Sequence, residues 1–327
     1  MATRRPGEFA LIERYFRPLA ADPGAFALTD DAAIYRPLAG EDLVLTTDLV
    51  AAGVHFFPDD PPDLIAKKAL RVNLSDLAAK GAEPVGYLLA LALPGDWTEA
   101  WIRRFAAGLA ADQKTYGVSL LGGDTSRASG GLTVAVTAIG RLPRGTMPRR
   151  AGAKPGDAVF VSGTIGDGAL GLRVRSGTLS PNLRAAKFLR DRYLVPEPRL
   201  ALAPVVRRFA SSAMDVSDGL VGDLAHICAV SGVSAVVEAE RVPRSPAAKA
   251  VLAADPSLLS LILNGGDDYE ILATVPAKSA AAYVAAAAAT GVPVTRIGEI
   301  LAGKGPPSVV DATGRPVVMA SASHTHF

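Results

Sequence analysis

Residues 142–157, LPRGTMPRRAGAKPGD, are dense in Pro, Gly and basic side chains and lie between two apolar, strand-like runs. A stretch of this kind supports neither a helix nor a sheet strand. It predicts two folding units, 1–148 and 149–327. In the first, hydrophobic periodicity predicts strands over 43–47, 88–93 and 132–139 and helices over 62–80 and 99–116. In the second it predicts strands over 158–162 and 271–275 and helices over 183–193, 220–231 and 279–290. Both halves are therefore expected to be α+β.

Charge and composition exclude several classes of function. Lys and Arg number 34 against 32 Asp and Glu, a net charge of +2 without a long single-sign run, so nothing marks a nucleic-acid or anionic-membrane surface. Cys228 is the only cysteine, which rules out an internal disulfide and a multi-thiolate zinc site and fits a reducing compartment. The most apolar stretch, Val85–Leu93, is ended by Pro94, well short of the roughly 20 residues that cross a bilayer. Arg4 and Arg5 are followed by Glu8 and Glu13 rather than by the apolar core of a signal peptide. A cytoplasmic, soluble protein with small-molecule partners is expected.

The most informative pattern is a series of aspartates beside small or hydroxyl residues. They are Asp30-Asp31, Thr46-Thr47-Asp48, Asn73-Leu-Ser-Asp76, Gly122-Gly123-Asp124-Thr125, Asp215-Val-Ser217-Asp218-Gly219 and Gly265-Gly-Asp267-Asp268. Any one of them fits an ordinary turn or helix cap. Six together, several at the ends of apolar strands, point to carboxylates presented to a cleft that holds hard cations. Asn73, Asp76 and Lys80 are spaced to share one helix face, although Lys80 at the helix end also fits a purely electrostatic role.

Other motifs carry less. Gly166-Asp-Gly168-Ala-Leu-Gly171 satisfies G-x-G-x-x-G. The charged helix expected over 183–193 stands where the next strand and ribose-binding acid of a dinucleotide fold belong. There is no G-x-x-x-x-G-K-[ST] phosphate loop and no protein-kinase signature. Of the four histidines, His55, just after the Asp48 cluster, is the candidate for a functional role. A structural role fits it too.

Taken in order, Gly7-Glu-Phe, Asp30-Asp, Thr46-Thr-Asp-Leu-Val-Ala-Ala-Gly-Val-His55, Asn73-Leu-Ser-Asp, Leu121-Gly-Gly-Asp-Thr, Gly152-Ala-Lys-Pro-Gly-Asp, Met214-Asp-Val-Ser-Asp-Gly-Leu and Gly265-Gly-Asp-Asp-Tyr-Glu resemble thiamine-monophosphate kinases over nearly the whole chain. Single motifs are shared with aminoimidazole ribonucleotide synthetase, selenophosphate synthetase and the hydrogenase-maturation dehydratase. The resemblance implies a two-domain aminoimidazole ribonucleotide synthetase-like fold whose N-terminal domain, binding ATP and metal, forms a shared β-barrel in a homodimer. It implies magnesium at Asp31, Thr46, Thr47, Asp48, Asp76, Asp124, Asp215 and Asp218. ATP contacts would come from Tyr116, Gly123, Asp124, Arg150 and Ser217. Thiamine monophosphate would meet His55 and Asp267, with Ser321 at the position where an aromatic usually packs on the thiamine ring. Leu28-Thr29 stand where a glycine usually precedes the first Asp pair.

The implied reaction is ATP-dependent phosphorylation of thiamine monophosphate by direct in-line transfer, with several magnesium ions and no general base. Its acceptor is already an anion, so positioning and charge neutralisation are what the protein must supply. The rival readings are another ATP-using enzyme of the superfamily, amidine-forming or dehydrating, and a non-catalytic nucleotide-binding relative.

Overall fold

The computed structural model describes residues 6–317. The chain divides into two compact units, one of residues 1–77 and 83–145, the other of residues 78–82 and 146–327.

In the first unit, a helical turn α1 (Glu8–Leu11) precedes β1 (Glu41–Ala51), α2 (Pro62–Ala79), β2 (Glu83–Leu93), α3 (Glu99–Tyr116), β3 (Ser119–Arg127) and β4 (Thr133–Pro143). The strands form one sheet in the order β1-β4-β2-β3, antiparallel except for the β2–β3 pair. Val134, Val136 and Ala138 alternate into the core, as a half-buried strand must. Thr98 caps α3 by accepting the Trp101 N–H, and Gly117 ends it with φ 68°, a conformation that favours glycine. On the other face of the sheet, Leu43 (39% exposed), Leu45 (64%), Leu49 (54%) and Leu88 (39%) stand open.

Strand β3 is where the expectation fails. Gly122–Thr125 lie inside a nine-residue strand rather than in a loop at an element's end. The β2–β3 register jumps from Tyr87↔Leu120 to Leu88↔Gly122. The extra residue, Leu121, is buried beside Leu120. A bulge thus resets the alternation. At Gly123 a β-carbon would lie 1.9 Å from the Leu89 carbonyl oxygen, so only glycine lets the two strands approach.

In the second unit follow β5 (Ala158–Ser162), α4 (Asp167–Arg175), α5 (Leu183–Leu194), α6 (Ala203–Phe209), β6 (Ser212–Asp215), α7 (Leu220–Ser231), β7 (Ser234–Glu238), α8 (Pro246–Ala254), α9 (Leu259–Asn264), β8 (Ile271–Val275), α10 (Ala280–Ala289), β9 (Val294–Leu301) and β10 (Ser308–Val310). The six strands run β10-β7-β9-β5-β8-β6. Val159, Val161 and Leu272 pack into one core with Leu170, Leu189, Leu224 and Ile262. Phe160, Ala273 and Val275 pack into another with Val206, Tyr283 and Ala287. Burial on both faces explains why β5 and β8 read as unbroken apolar runs.

Candidate active site

In the first unit the strand period sorts the aspartate cluster of β1. Thr46 and Asp48 share one face with buried Val44 and Val50. There Thr46 Oγ1 donates to Asp76 Oδ2 of α2 at 2.5 Å. Asn73 Oδ1, also on α2, accepts the Asp48 N–H at 3.1 Å, and Asn73 Nδ2 is spent on the Ala69 carbonyl. Thr47 lies on the opposite face, its hydroxyl bonded to the Val136 carbonyl and to Thr137 Oγ1. Its side chain is therefore parted from Thr46 and Asp48, because neighbouring strand residues point apart. Asp48, Val136, Leu89 and Gly123 form one transverse row of the sheet.

Asp31 and Asp124 meet elsewhere in the same unit. Both line a cleft of about 880 Å³ together with Asp30, Tyr35, Leu88 and Thr137. Phe26, Ala27 and Leu28 lead into the Asp30-Asp31 segment with φ 48°, 53° and 55°. Three successive left-handed residues without a glycine are costly for L-amino acids, and they fall where the sequence departs from the family at Leu28-Thr29. His55 sits in a tight turn after β1, its Nδ1 accepting the Ala51 N–H at 3.1 Å. That bond leaves the ring proton on Nε2 in the neutral form. Tyr116 lies beneath the Arg71 guanidinium, 5.3 Å from ring centroid to Cζ. Arg71 is itself forked onto Asp112.

In the second unit the segments carrying Asp215, Ser217, Asp218 and Asp267 interlock through their backbones. Asp267 N–H donates to the Ser217 carbonyl, Tyr269 N–H to the Val216 carbonyl and Val216 N–H to the Glu270 carbonyl. Asp267 holds φ at 70° and Tyr269 at 52°, strain of the kind that collects at functional loops. Beneath them Asp223 of α7 accepts the N–H groups of Ser217 and Asp218 on Oδ2, each at 3.1 Å. Burial, with the Asp218 charge beside it, pushes the Asp223 carboxyl up to about 7, while those two donors and the Arg150 charge act in the opposite direction. Lys80 leaves the α2 face altogether and donates to the Ala213 carbonyl.

Two residues of the Gly265-Gly-Asp-Asp-Tyr-Glu motif with no role expected from sequence shape this region. Glu270 is fully buried, forked by Arg199 at 2.7 and 2.6 Å, with Arg192 at 3.0 Å and Ser162 Oγ at 2.7 Å. Asp268 accepts the N–H groups of Gly166 and Gly168, at 2.7 and 2.9 Å. The G-x-G-x-x-G helix N-terminus is thus occupied by a carboxylate of the protein, and its glycines serve packing: a β-carbon at Gly171 would lie 2.1 Å from the Leu189 carbonyl oxygen. Ser321 lies outside the described residues.

A thiamine-monophosphate kinase of Caulobacter vibrioides is 47% identical over 308 residues, 93% of this chain and 87% of that protein. The chain belongs to the thiamine-monophosphate kinase family. Residues 29–142 match the AIR synthase related protein N-terminal domain and residues 154–311 its C-terminal domain, so the kinase family shares the two-domain AIR synthase-like fold. A crystal structure of the thiamine-monophosphate kinase from Stenotrophomonas maltophilia is 42% identical with a TM-score of 0.84, covering 95% of this chain and 98% of that one. A solved structure described as AaThiL complexed with AMPPCP and TMP is 30% identical, with a TM-score of 0.77 over 100% of both chains. Among the described residues no helix is long and apolar enough to cross a membrane.

Proposed function

We propose that this protein transfers a phosphoryl group from ATP to the phosphate of thiamine monophosphate, yielding thiamine diphosphate and ADP. The observation that carries the reading is family membership over nearly the whole chain, joined to a full-length structural match whose relative was solved with an ATP analogue and TMP.

The residues fit the chemistry. Thr46, Asp48 and Asp76 on one face, Asp31 and Asp124 in the cleft, and Asp215 and Asp218 beside α7 offer oxygen donors only, the set that hard magnesium prefers. These residues would hold it. Magnesium, when bound, offsets the charge of the two phosphate groups that must approach each other. Thr46 orients the Asp76 carboxylate of α2, and Asn73 holds the Asp48 backbone of β1. Arg150 adds a planar guanidinium for a phosphate, with Tyr116, Gly123 and Ser217 as further ATP contacts. His55 and Asp267 serve thiamine monophosphate. No side chain need remove a proton, because the acceptor oxygen is already anionic at neutral pH.

The first unit acts as the dimerisation domain: its open leucine face pairs with that of a second copy to close a barrel. Four exposed leucines on one sheet face support this, since such a patch is seldom left to water.

Incubation with ATP, magnesium and thiamine monophosphate should give thiamine diphosphate and ADP in equal amounts, with unphosphorylated thiamine a poor acceptor. Release of inorganic phosphate without the diphosphate would overturn the reading.

A further inference from the structure

Asp218, Asp223 and His226 each bring one ligand atom into a group whose members all lie within 4.8 Å of one another. The local fold explains the convergence. Asp223 and His226 are three residues apart on α7 and share a face, and Asp218 belongs to the segment just before the helix. Asp223 is 0% exposed, and although its Oδ2 takes two backbone N–H groups, its Oδ1 has no hydrogen-bond partner. An ionised carboxylate buried with one bare oxygen, beside a second carboxylate, is costly unless a proton or a cation joins it. Arg150 contributes a nearby positive field and leaves that oxygen bare. His226 is exposed, so an ion has access from solvent.

We propose that Asp218, Asp223 and His226 form a binding site for a borderline divalent transition metal, with Zn²⁺ as its type. Imidazole nitrogen suits zinc and its neighbours, whereas magnesium takes oxygen. Two carboxylates and one imidazole are each ligand types that zinc takes, and three of them leave a fourth position open. The site differs from the oxygen-only groups assigned to magnesium, yet it shares Asp218 with them. Zinc held here withdraws Asp218 from magnesium and nucleotide. The proposal goes beyond the kinase reading and does not depend on it, because the ion binds without nucleotide or thiamine phosphate.

The test is calorimetric titration of Zn²⁺ into the full chain in excess Mg²⁺ without nucleotide, in a His324→Ala/His326→Ala background that removes the tail histidines as competitors. One zinc per chain is expected, and His226→Ala, a surface change that leaves the core intact, should weaken it by roughly tenfold or more, the least that losing a direct ligand should cost. Asp223→Asn should weaken it similarly. No zinc uptake, an affinity unchanged by His226→Ala, or ready displacement of zinc by the same concentration of magnesium would each overturn the proposal.

Discussion

Thr46 Oγ1 donates to Asp76 Oδ2 at 2.5 Å, tying β1 to α2. The bond holds the Asp76 carboxylate against the sheet face to which the period of β1 also turns Asp48, 28 residues earlier in sequence. Under the proposed metal assignment, Thr46 positions a ligand as well as offering an oxygen.

If these carboxylates are cation ligands rather than bases, Asp48→Asn and Asp124→Asn should each lose ~100-fold or more in turnover, with partial recovery at high magnesium. Steady-state kinetics across a magnesium series checks this. Near-normal turnover in both variants would remove the metal assignment.

The open leucine face makes a separate prediction. Replacing both Leu45 and Leu49 with Lys places charge where a second sheet would bury apolar surface, at a loss of ~1.5–3 kcal/mol for each leucine removed from that contact. Light scattering should find a dimer in the wild type and a monomer in the double variant. A dimer that persists unchanged would place the subunit contact elsewhere.

Asp167 is buried, its carboxylate accepting from Thr164 Oγ1 at 2.6 Å and Ser245 Oγ at 2.5 Å, and burial holds its pKa above the ordinary carboxylate range. Between the unfolded and folded pKa values the native state binds the extra proton, so this residue's contribution to stability falls as pH rises. Asn keeps both hydroxyl contacts, since a hydroxyl can donate or accept. The melting temperature of Asp167→Asn relative to wild type should therefore climb as pH rises from about 4. A difference independent of pH would contradict this.

Arg199 and Glu270 form a forked pair at 2.7 and 2.6 Å with the carboxylate fully buried. Arg199→Ala leaves that charge to Arg192 and Ser162, and unfolding in urea should reveal a loss of about 3 kcal/mol, the lower end for a broken buried pair. A change under about 0.5 kcal/mol, the range of ordinary surface substitutions, would mean that Arg192 and Ser162 suffice.

The sequence by itself determined the elements whose signals are local. The helix expected over 99–116 is observed at those residues, and that over 62–80 ends one residue earlier, because apolar periodicity and a following glycine are properties of adjacent residues. The buried runs at 158–162 and 271–275 were legible for the same reason. The aspartate clusters could be recognised as motifs, but a motif does not say which way a side chain faces. That depended on pairing. Pairing with β2 made Gly122–Thr125 part of a strand and the bulge at Leu121 reset its alternation, and the strand period placed Thr47 opposite Thr46 and Asp48. Long-range contacts decided the rest. Asp268 fills the helix N-terminus that a G-x-G-x-x-G search would reserve for a phosphate, about 100 residues earlier in the chain. Asp223 meets Asp218 and His226 only once α7 has wound. Sequence records which groups are available; their partners are chosen by the register of the sheet and the rotation of the helix, which no short window contains.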